Sequence, residues 1–282
     1  MSSPANVRIL PLSESARGAW NDFVMATPSA TFCHRAEWAD VLAGVFGFDN
    51  RYLYAEQDGC VVGVLPLTMV RSRLFGNTLC STPYCVYGGA IGVEPGVVAA
   101  LEAEAARLAE SLPVDYLELR GSERTRPEWP ASELYFTFRK AISADDDENM
   151  KAIPRKQRAM VRKGIEAGLV AEADDDVDRF YHAFATSVRN LGTPVFPRRY
   201  FRALRAAFGR DCSVTTVSHA GTVVSSVLSF YFRDTILPYY AGGLPQARAT
   251  KAFDFMYWKL STLLTTVPAW LTVVTEQSRP NA

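Results

Sequence analysis

Apolar residues recur at helical spacing in residues 32–47, FCHRAEWADVLAGVFG, and again in residues 196–209, FPRRYFRALRAAFG. Each segment is aromatic, carries basic residues and closes on Phe-Gly, which predicts a helix stopped by glycine. Gly59 then lies twelve positions after Gly47, and Gly221 twelve positions after Gly209. Each interval holds a short strand, RYLYAEQ or CSVTTVS, and Asp58-Gly59 and Ala220-Gly221 predict hairpin turns after them. A strand rich in Val, Leu and Phe follows in both places, CVVGVLPLTMV and TVVSSVLSFYF. The next predicted strand ends in Tyr87-Gly88-Gly89 in the first case and in Tyr240-Ala241-Gly242-Gly243 in the second. Helical patterns come after each glycine pair, EPGVVAALEAEAARLAESL and ATKAFDFMYWKLSTLL.

The order is therefore strand, helices, three strands, helix, strand, given twice, and a repeat of this kind fixes an architecture before any motif does. It is similar to the plan of the GNAT acyltransferase fold, with mostly antiparallel strands and a helix between the fourth and fifth. The expected fold class is α/β in the α+β sense, with two tandem GNAT-like domains at 1–143 and 144–282. Charge marks the expected boundary. Residues 143–148, SADDDE, are acidic and polar, and the basic stretch KAIPRKQRAMVRKGIEAGL follows. Pro154 suits the first turn of the helix this stretch predicts, where its missing N–H costs nothing.

Composition narrows the chemistry. With 282 residues and 48% apolar content the chain has material for one large core or two smaller ones. Lys+Arg and Asp+Glu are 30 each, so the overall field gives no reason to expect DNA, generic nucleic-acid or membrane-surface binding, and any polyanion site is local. The start, MSSPANVRILPLSES, lacks the basic and apolar regions of a signal peptide, and no apolar run is long enough for a transmembrane segment, so a cytoplasmic location is expected. The cysteines, Cys33, Cys60, Cys80, Cys85 and Cys212, show no zinc-ligand spacing and read as buried small hydrophobes, with no metal expected. Cys80 and Cys85 lie an odd number of residues apart in a strand-rich stretch, which puts them on opposite faces. His34, His182 and His219 have no GxSxG partner, and there is no Walker A, Rossmann or HExxH pattern. A hydrolase triad is disfavoured.

Two features could carry function. Arg155, Arg158 and Arg162 recur at three- and four-residue spacing and so share one helical face, with Lys156 and Lys163 beside them. Arginine suits capture of phosphate oxygens, and the helix falls where two predicted domains meet; a solvated basic face is the plain alternative. The second feature is the strand end at Tyr239, Tyr240, Gly242 and Gly243, where glycines let a ligand approach the backbone. After it, LPQARATKAFDF contains no glycine-rich pyrophosphate loop, which weighs against acyl-CoA.

These stretches, together with FGNTLCSTPYCVYGG, VDYLELRG, SVRNLGTPVFPRRYFRAL, SVLSFYFRDTILPYYAGG and KAFDFMYWKL, give the chain a resemblance to FemAB-like transferases, in particular the group associated with exosortase (PEP-CTERM) systems. The resemblance spans about residues 7 to 260. It implies tandem GNAT-like domains and transfer of an amino acid onto an amine of a peptidoglycan or other cell-wall precursor, in a setting of exopolysaccharide or envelope biogenesis. The implied donor is aminoacyl-tRNA, with acyl-CoA second and no resident cofactor, and the implied acceptor is an anionic envelope precursor. By position it assigns the basic helix, with Arg155, Lys156, Arg158, Arg162 and Lys163, to polyanionic substrate, and Tyr239, Tyr240, Lys251, Asp254 and Tyr257 to the motif around the central strand and helix. Asp254, with Lys251 near it, is the candidate for the reaction centre. The family continues after this helix with a strand and basic Gly-Arg-Ser-Lys and Phe-Lys elements, whereas this chain reads TTVPAWLTVVTEQSRPNA. The expectation is that residues 270–275 act as a substitute strand, that a sheet edge is left unpaired, and that turnover is low. N-acylation of a sugar from acyl-CoA and a non-catalytic binding protein of the same fold stay open beside aminoacyl transfer.

Overall fold

Tight turns and strand-forming residues set the framework of the chain. The computed structural model describes residues 7–72, 74, 76–132, 135–262 and 269–276, and divides into two units, Met1–Ser132 and Glu133–Ala282.

The first unit runs β1 (Arg8–Pro11), α1 (Arg17–Ala26), α2 (Glu37–Phe46), β2 (Asp49–Asn50), β3 (Leu53–Gln57), β4 (Cys60–Leu65), β5 (Leu67–Ser72), β6 (Gly76–Ser81), β7 (Ile91–Gly92), α3 (Pro95–Ser111) and β8 (Tyr116–Glu118). The glycine stop at residue 47 is as expected, with Gly47 in the left-handed conformation at φ 70°. The helix itself is shorter than the pattern predicts. Residues Phe32–His34 form a separate 3-10 turn, tied by reciprocal bonds between Thr31 and His34, and α2 begins only at Glu37.

The apolar run CVVGVLPLTMV is not one strand. Pro66 has no N–H to give to a ladder, and the chain breaks there into β4 and β5, which join different sheets, β1-β3-β4-β7 and β2-β5-β6-β8. Strand pairing is antiparallel except for β6 and β8, which run parallel across the α3 crossover. Val97, Leu101 and Ala105 on α3 pack against Leu53, Leu65 and Met69, and each fully buried Val, Leu or Met side chain contributes roughly 1.5–3 kcal/mol. The expected strand ending at Gly89 is also corrected. Strand β6 stops at Ser81, and residues 82–90 form a largely buried loop, so Cys85 is not on a strand face at all.

The second unit runs β9 (Tyr135–Ile142), α4 (Asp146–Ala152), α5 (Arg155–Glu166), β10 (Val170–Asp174), α6 (Asp178–Asn190), α7 (Arg198–Phe208), β11 (Cys212–His219), β12 (Thr222–Phe232), β13 (Thr235–Gly243), α8 (Ala247–Thr250), α9 (Ala252–Thr262) and β14 (Ala269–Glu276). One six-stranded sheet has the order β10-β11-β12-β13-β14-β9, again antiparallel except for one pair, β13 and β14. The predicted hairpins are present in both units, with Asp58-Gly59 at φ 51° and 79° and Ala220-Gly221 at φ 48° and 78°. Positive φ at both central residues is what a two-residue turn needs to match strand twist.

Residues 270–275 do form a strand, inside β14, but the expected open edge is not there. Strand β14 is interior, paired with β13 on one side and along its length with β9 on the other. Residues 263–268 and 277–282, which hold the rest of the divergent ending, lie outside the described residues. The predicted basic helix is likewise divided. Ile153 and Pro154 separate α4 from α5, and Pro154 is the N-cap residue of α5, not part of its first turn, because its extended ψ of 143° precedes the helical residues.

Candidate functional site

The second unit brings two separate segments to the first turn of α9. Phe253 packs against Gly243 at the end of β13, where a methyl group added to the glycine would lie 2.6 Å from its ring. Two residues on, Phe255 packs against Gly164 of α5, where an added methyl would lie 2.9 Å from the Phe255 Cβ. Asp254 sits between these two contacts, partly exposed. The absence of side chains at Gly164 and Gly243 is thus what lets the basic helix and the central strand approach α9 closely.

Strand β13 is irregular at this point for two reasons. Its ladder with β12 slips between Leu228, opposite Tyr240, and Ser229, opposite Pro238, which leaves Tyr239 as a bulge. Its parallel pairing with β14 covers only Thr235 and Ile236. From Leu237 to Gly243 the edge of β13 that faces β14 therefore has no paired strand among the described residues. A strand edge parted from its neighbour presents backbone N–H and C=O groups to whatever enters the gap.

Individual residues fall into two groups. Tyr240 is nearly buried, and its hydroxyl meets that of Tyr200 at 2.9 Å inside a cluster with Phe184, Phe196 and Phe201. Gly242 has a packing reason for its identity. An added Cβ would lie 2.4 Å from the Phe184 Cα and 2.5 Å from its N, so only glycine lets α6 lie on this strand. Tyr239 stacks edge-on against Phe230 at 5.3 Å and is half-buried. Burial raises the Tyr257 hydroxyl pKa above its ordinary value. Lys251 adopts the left-handed conformation at φ 60°, divides α8 from α9, and donates from Nζ to the Arg248 carbonyl at 3.0 Å.

On α5 the pattern read from sequence is present in space. Arg155, Arg158, Arg162 and Lys163, with Ala159 and Glu166, line a shallow concavity along one face of the helix. Arg158 differs from the others. Its guanidinium donates to the Lys151 carbonyl at 2.8 Å and to the Ile153 carbonyl at 3.0 Å, which satisfies the open end of α4. Arg155, Arg162 and Lys163 are exposed, as is Lys156 outside the concavity. Sequence reasoning missed Gly164 and Phe253, whose roles depend on which helix and which strand pack against α9. No group of three or more metal-binding side chains occurs among the described residues.

A family model described as an acetyltransferase (GNAT) domain matches residues 148–262. The match lies within the second unit, covers less than half of the chain, and agrees with a GNAT-like fold there. The crystal structure of FemX is similar to the whole chain, at 13% identity and a TM-score of 0.69 over 98% of this chain and 90% of FemX. A tandem GNAT protein from the clavulanic acid biosynthesis pathway is similar over 98% of this chain and 91% of its own, at 13% identity and a TM-score of 0.55. The C-terminal domain of a putative lysylphosphatidylglycerol synthetase from Agrobacterium fabrum covers 94% of this chain and 79% of its own, at 11% identity and a TM-score of 0.54. At such identities the likeness is one of fold, and it makes this chain a tandem GNAT-like protein with antiparallel sheets. No curated protein matches the chain. No helix among the described residues is long and apolar enough to cross a membrane.

Proposed function

We propose that the second unit transfers an aminoacyl group to an amine of an anionic cell-envelope precursor. The observation that carries this reading is the parted edge of β13 beside the first turn of α9, within a GNAT domain. An acyl donor laid along that edge would have its carbonyl next to backbone N–H groups. Fixed donors of this kind stabilise the oxyanion that forms when an amine attacks the acyl carbon. Asp254, partly exposed on α9, is the general base of the proposal and takes the proton from the attacking amine. Arg155, Arg162 and Lys163 hold the phosphate groups of the acceptor, and Arg158 keeps α5 in register with α4.

The donor is the point on which the alternatives part. Residues 244–251 contain no glycine, and the N–H groups of Leu244, Ala247 and Thr250 already donate to the carbonyls of Val224, Leu244 and Gln246. That leaves a poor cradle for a CoA pyrophosphate and favours aminoacyl-tRNA. The preference for an envelope acceptor, and for an exosortase-linked setting in particular, rests on the motif resemblance, with the lysylphosphatidylglycerol synthetase domain as a neighbour of like fold. The test is transfer of radiolabel from pooled aminoacyl-tRNA, and separately from acetyl-CoA, to a UDP-linked peptidoglycan precursor that contains lysine. Label moving from tRNA supports the proposal. Label moving only from acetyl-CoA selects the acyl-CoA alternative, and binding of donor with no transfer selects a non-catalytic binding protein.

A further inference from the structure

The first unit has a cavity of about 350 Å³ that plays no part in the transfer reaction proposed for the second. Leu12, Leu53 and Leu108 supply its apolar wall, and Arg17, Arg51, Glu14 and Glu104 supply charges of both signs. Leu53 is 6% exposed, whereas Arg51 and Glu14 are exposed, so the cavity leads from solvent down to the core. Its walls come from separate parts of the chain. Leu12 follows β1, and its N–H donates to the Tyr52 carbonyl at 2.8 Å, which ties the end of β1 to the start of β3. Glu104 and Leu108 stand four apart on α3 and so share one face of that helix.

The charged groups are held in place but keep hydrogen-bonding capacity. Arg17 Nη1 and Nη2 donate to the two carboxylate oxygens of Asp40 at 2.9 and 2.6 Å, and Nη2 reaches the Ala36 carbonyl at 3.5 Å. Its Nε has no hydrogen bond among the described residues. Arg51 gives both Nε and Nη2 to one oxygen, Asp49 Oδ2, at 3.1 and 2.6 Å, which leaves Nη1 without a bond among the described residues. Glu104 accepts from Nε and Nη2 of Arg107, and this pairing holds its carboxyl below the ordinary value, so it is an anion. A carboxylate has about four acceptor positions, and two of these remain open. Glu14 Oε2 lies 3.8 Å from Arg17 Nη1.

The two signs together decide what the cavity suits. The concavity on α5 is lined mainly by cations and fits an anion. Here two arginines are matched by two glutamates, so a phosphate would meet both carboxylates, and a hydrocarbon would cover the charges without giving them a partner. A molecule with one carboxylate, one ammonium group and an apolar body satisfies every part of the lining. We propose that this cavity binds a free α-amino acid with an apolar side chain. Its carboxylate takes the remaining donors of Arg51 and Arg17, its ammonium group goes to Glu104 and Glu14, and its side chain covers Leu12, Leu53 and Leu108. The volume is at the small end of ligand cavities, which run from roughly 300 to 1,000 Å³, and is too small for a nucleotide-linked precursor. Because Asp40 fixes Arg17 and the Tyr52 carbonyl fixes Leu12, little ordering accompanies binding. The site binds whether or not the second unit transfers aminoacyl groups.

The experiment titrates L-leucine and L-phenylalanine into the full chain by isothermal titration calorimetry. Three fragments of leucine serve as controls: isocaproate, which lacks the amine, isoamylamine, which lacks the carboxylate, and glycine, which lacks the apolar body. The expected result is saturable binding of at least one of the two amino acids, about 10-fold or more tighter than any fragment. Arg51→Gln and Glu104→Gln should each weaken that binding by about 10-fold, the scale of one lost hydrogen bond to a charged group. Urea unfolding should change little in both variants, since each residue sits in a solvent-exposed ion pair. Binding of neither amino acid overturns the proposal, and so does equal affinity for isocaproate, which would make this a plain carboxylate site. Amino-acid binding that both variants leave intact also overturns it, because the ligand is then held elsewhere, the parted edge of β13 included.

Discussion

The two units share an order of elements and differ in what happens to the long central strand. In the first unit Pro66 cuts it, and β4 and β5 go to separate four-stranded sheets. In the second unit β12 runs unbroken over eleven residues through one six-stranded sheet, and its partner β13 stays a strand up to Gly243. The consequence is a difference in where the chain is irregular. The first unit places its strain in a buried loop with Thr82 and Tyr84 at positive φ. The second keeps a regular sheet and opens it at one place, where β13 and β14 part after two residue pairs. The first unit thus divides its strands between two sheets at Pro66, whereas the second keeps one sheet with a parted strand edge.

The largest expected effect comes from filling the glycine positions that the two units use differently. Gly242→Val in the second unit drives a side chain into the backbone of α6, 2.4 Å from the Phe184 Cα, and should cost 3 kcal/mol or more, on the order of the upper end for overpacking. Gly89→Ala in the first unit meets the Gly121 Cα at 2.9 Å and should cost about 1–3 kcal/mol. Urea unfolding of both variants measures the order. Equal losses would mean that α6 gives way more readily than its packing indicates.

Alkaline pH tests the two cores next. Burial pushes the Cys80 thiol up to about 11 and the Cys212 thiol up to about 12. Unfolded thiols release their protons first, near pH 8.5, so the unfolded state holds fewer protons above that value and stability falls as pH rises. Between there and pH 11 each group should remove on the order of 3 kcal/mol. The loss continues to about pH 12 only for Cys212, in the second unit. A stability profile from pH 8 to 11 that is unchanged by Cys212→Ala would contradict this.

On the basic helix, Arg158→Ala should cost about 1 kcal/mol because the carbonyls of Lys151 and Ile153 lose their donor. Arg155→Ala with Arg162→Ala should leave stability unchanged and weaken binding of a UDP-linked precursor, with a flatter salt dependence. If the double variant unfolds more easily and binds as before, the face is structural. The smallest effect belongs to the matched hairpins. Asp58 tolerates its left-handed position better than Ala220 does, so Ala220→Asn should add about 0.5 kcal/mol in thermal or urea unfolding, and Asp58→Asn should add less.

Much of this fold was legible because its signals are local. The Asp58-Gly59 and Ala220-Gly221 turns, the glycine stop at Gly47 and the strand in residues 270–275 each follow from neighbouring residues. The basic face was legible for the same reason, since helical spacing alone aligns Arg155, Arg158 and Arg162. What failed depended on partners far along the chain. The repeat made Tyr87-Gly88-Gly89 look like the strand end at Gly243, but Pro66 had already redirected the first unit's sheets. The feared open edge is closed because β9 pairs along β14, more than a hundred residues later in sequence. The carbonyl contacts of Arg158 leave no periodic trace.

The central claim is that aminoacyl transfer takes place at the parted edge of β13 with Asp254 as base. It is tested most directly by the rate at which label passes from pooled aminoacyl-tRNA to a UDP-linked, lysine-containing precursor, for the native chain and for Asp254→Asn. The account predicts measurable transfer by the native chain and a loss of about 100-fold in the variant, the scale of general base catalysis, with donor binding retained. Equal rates in the two proteins, or no transfer by the native chain, would contradict it.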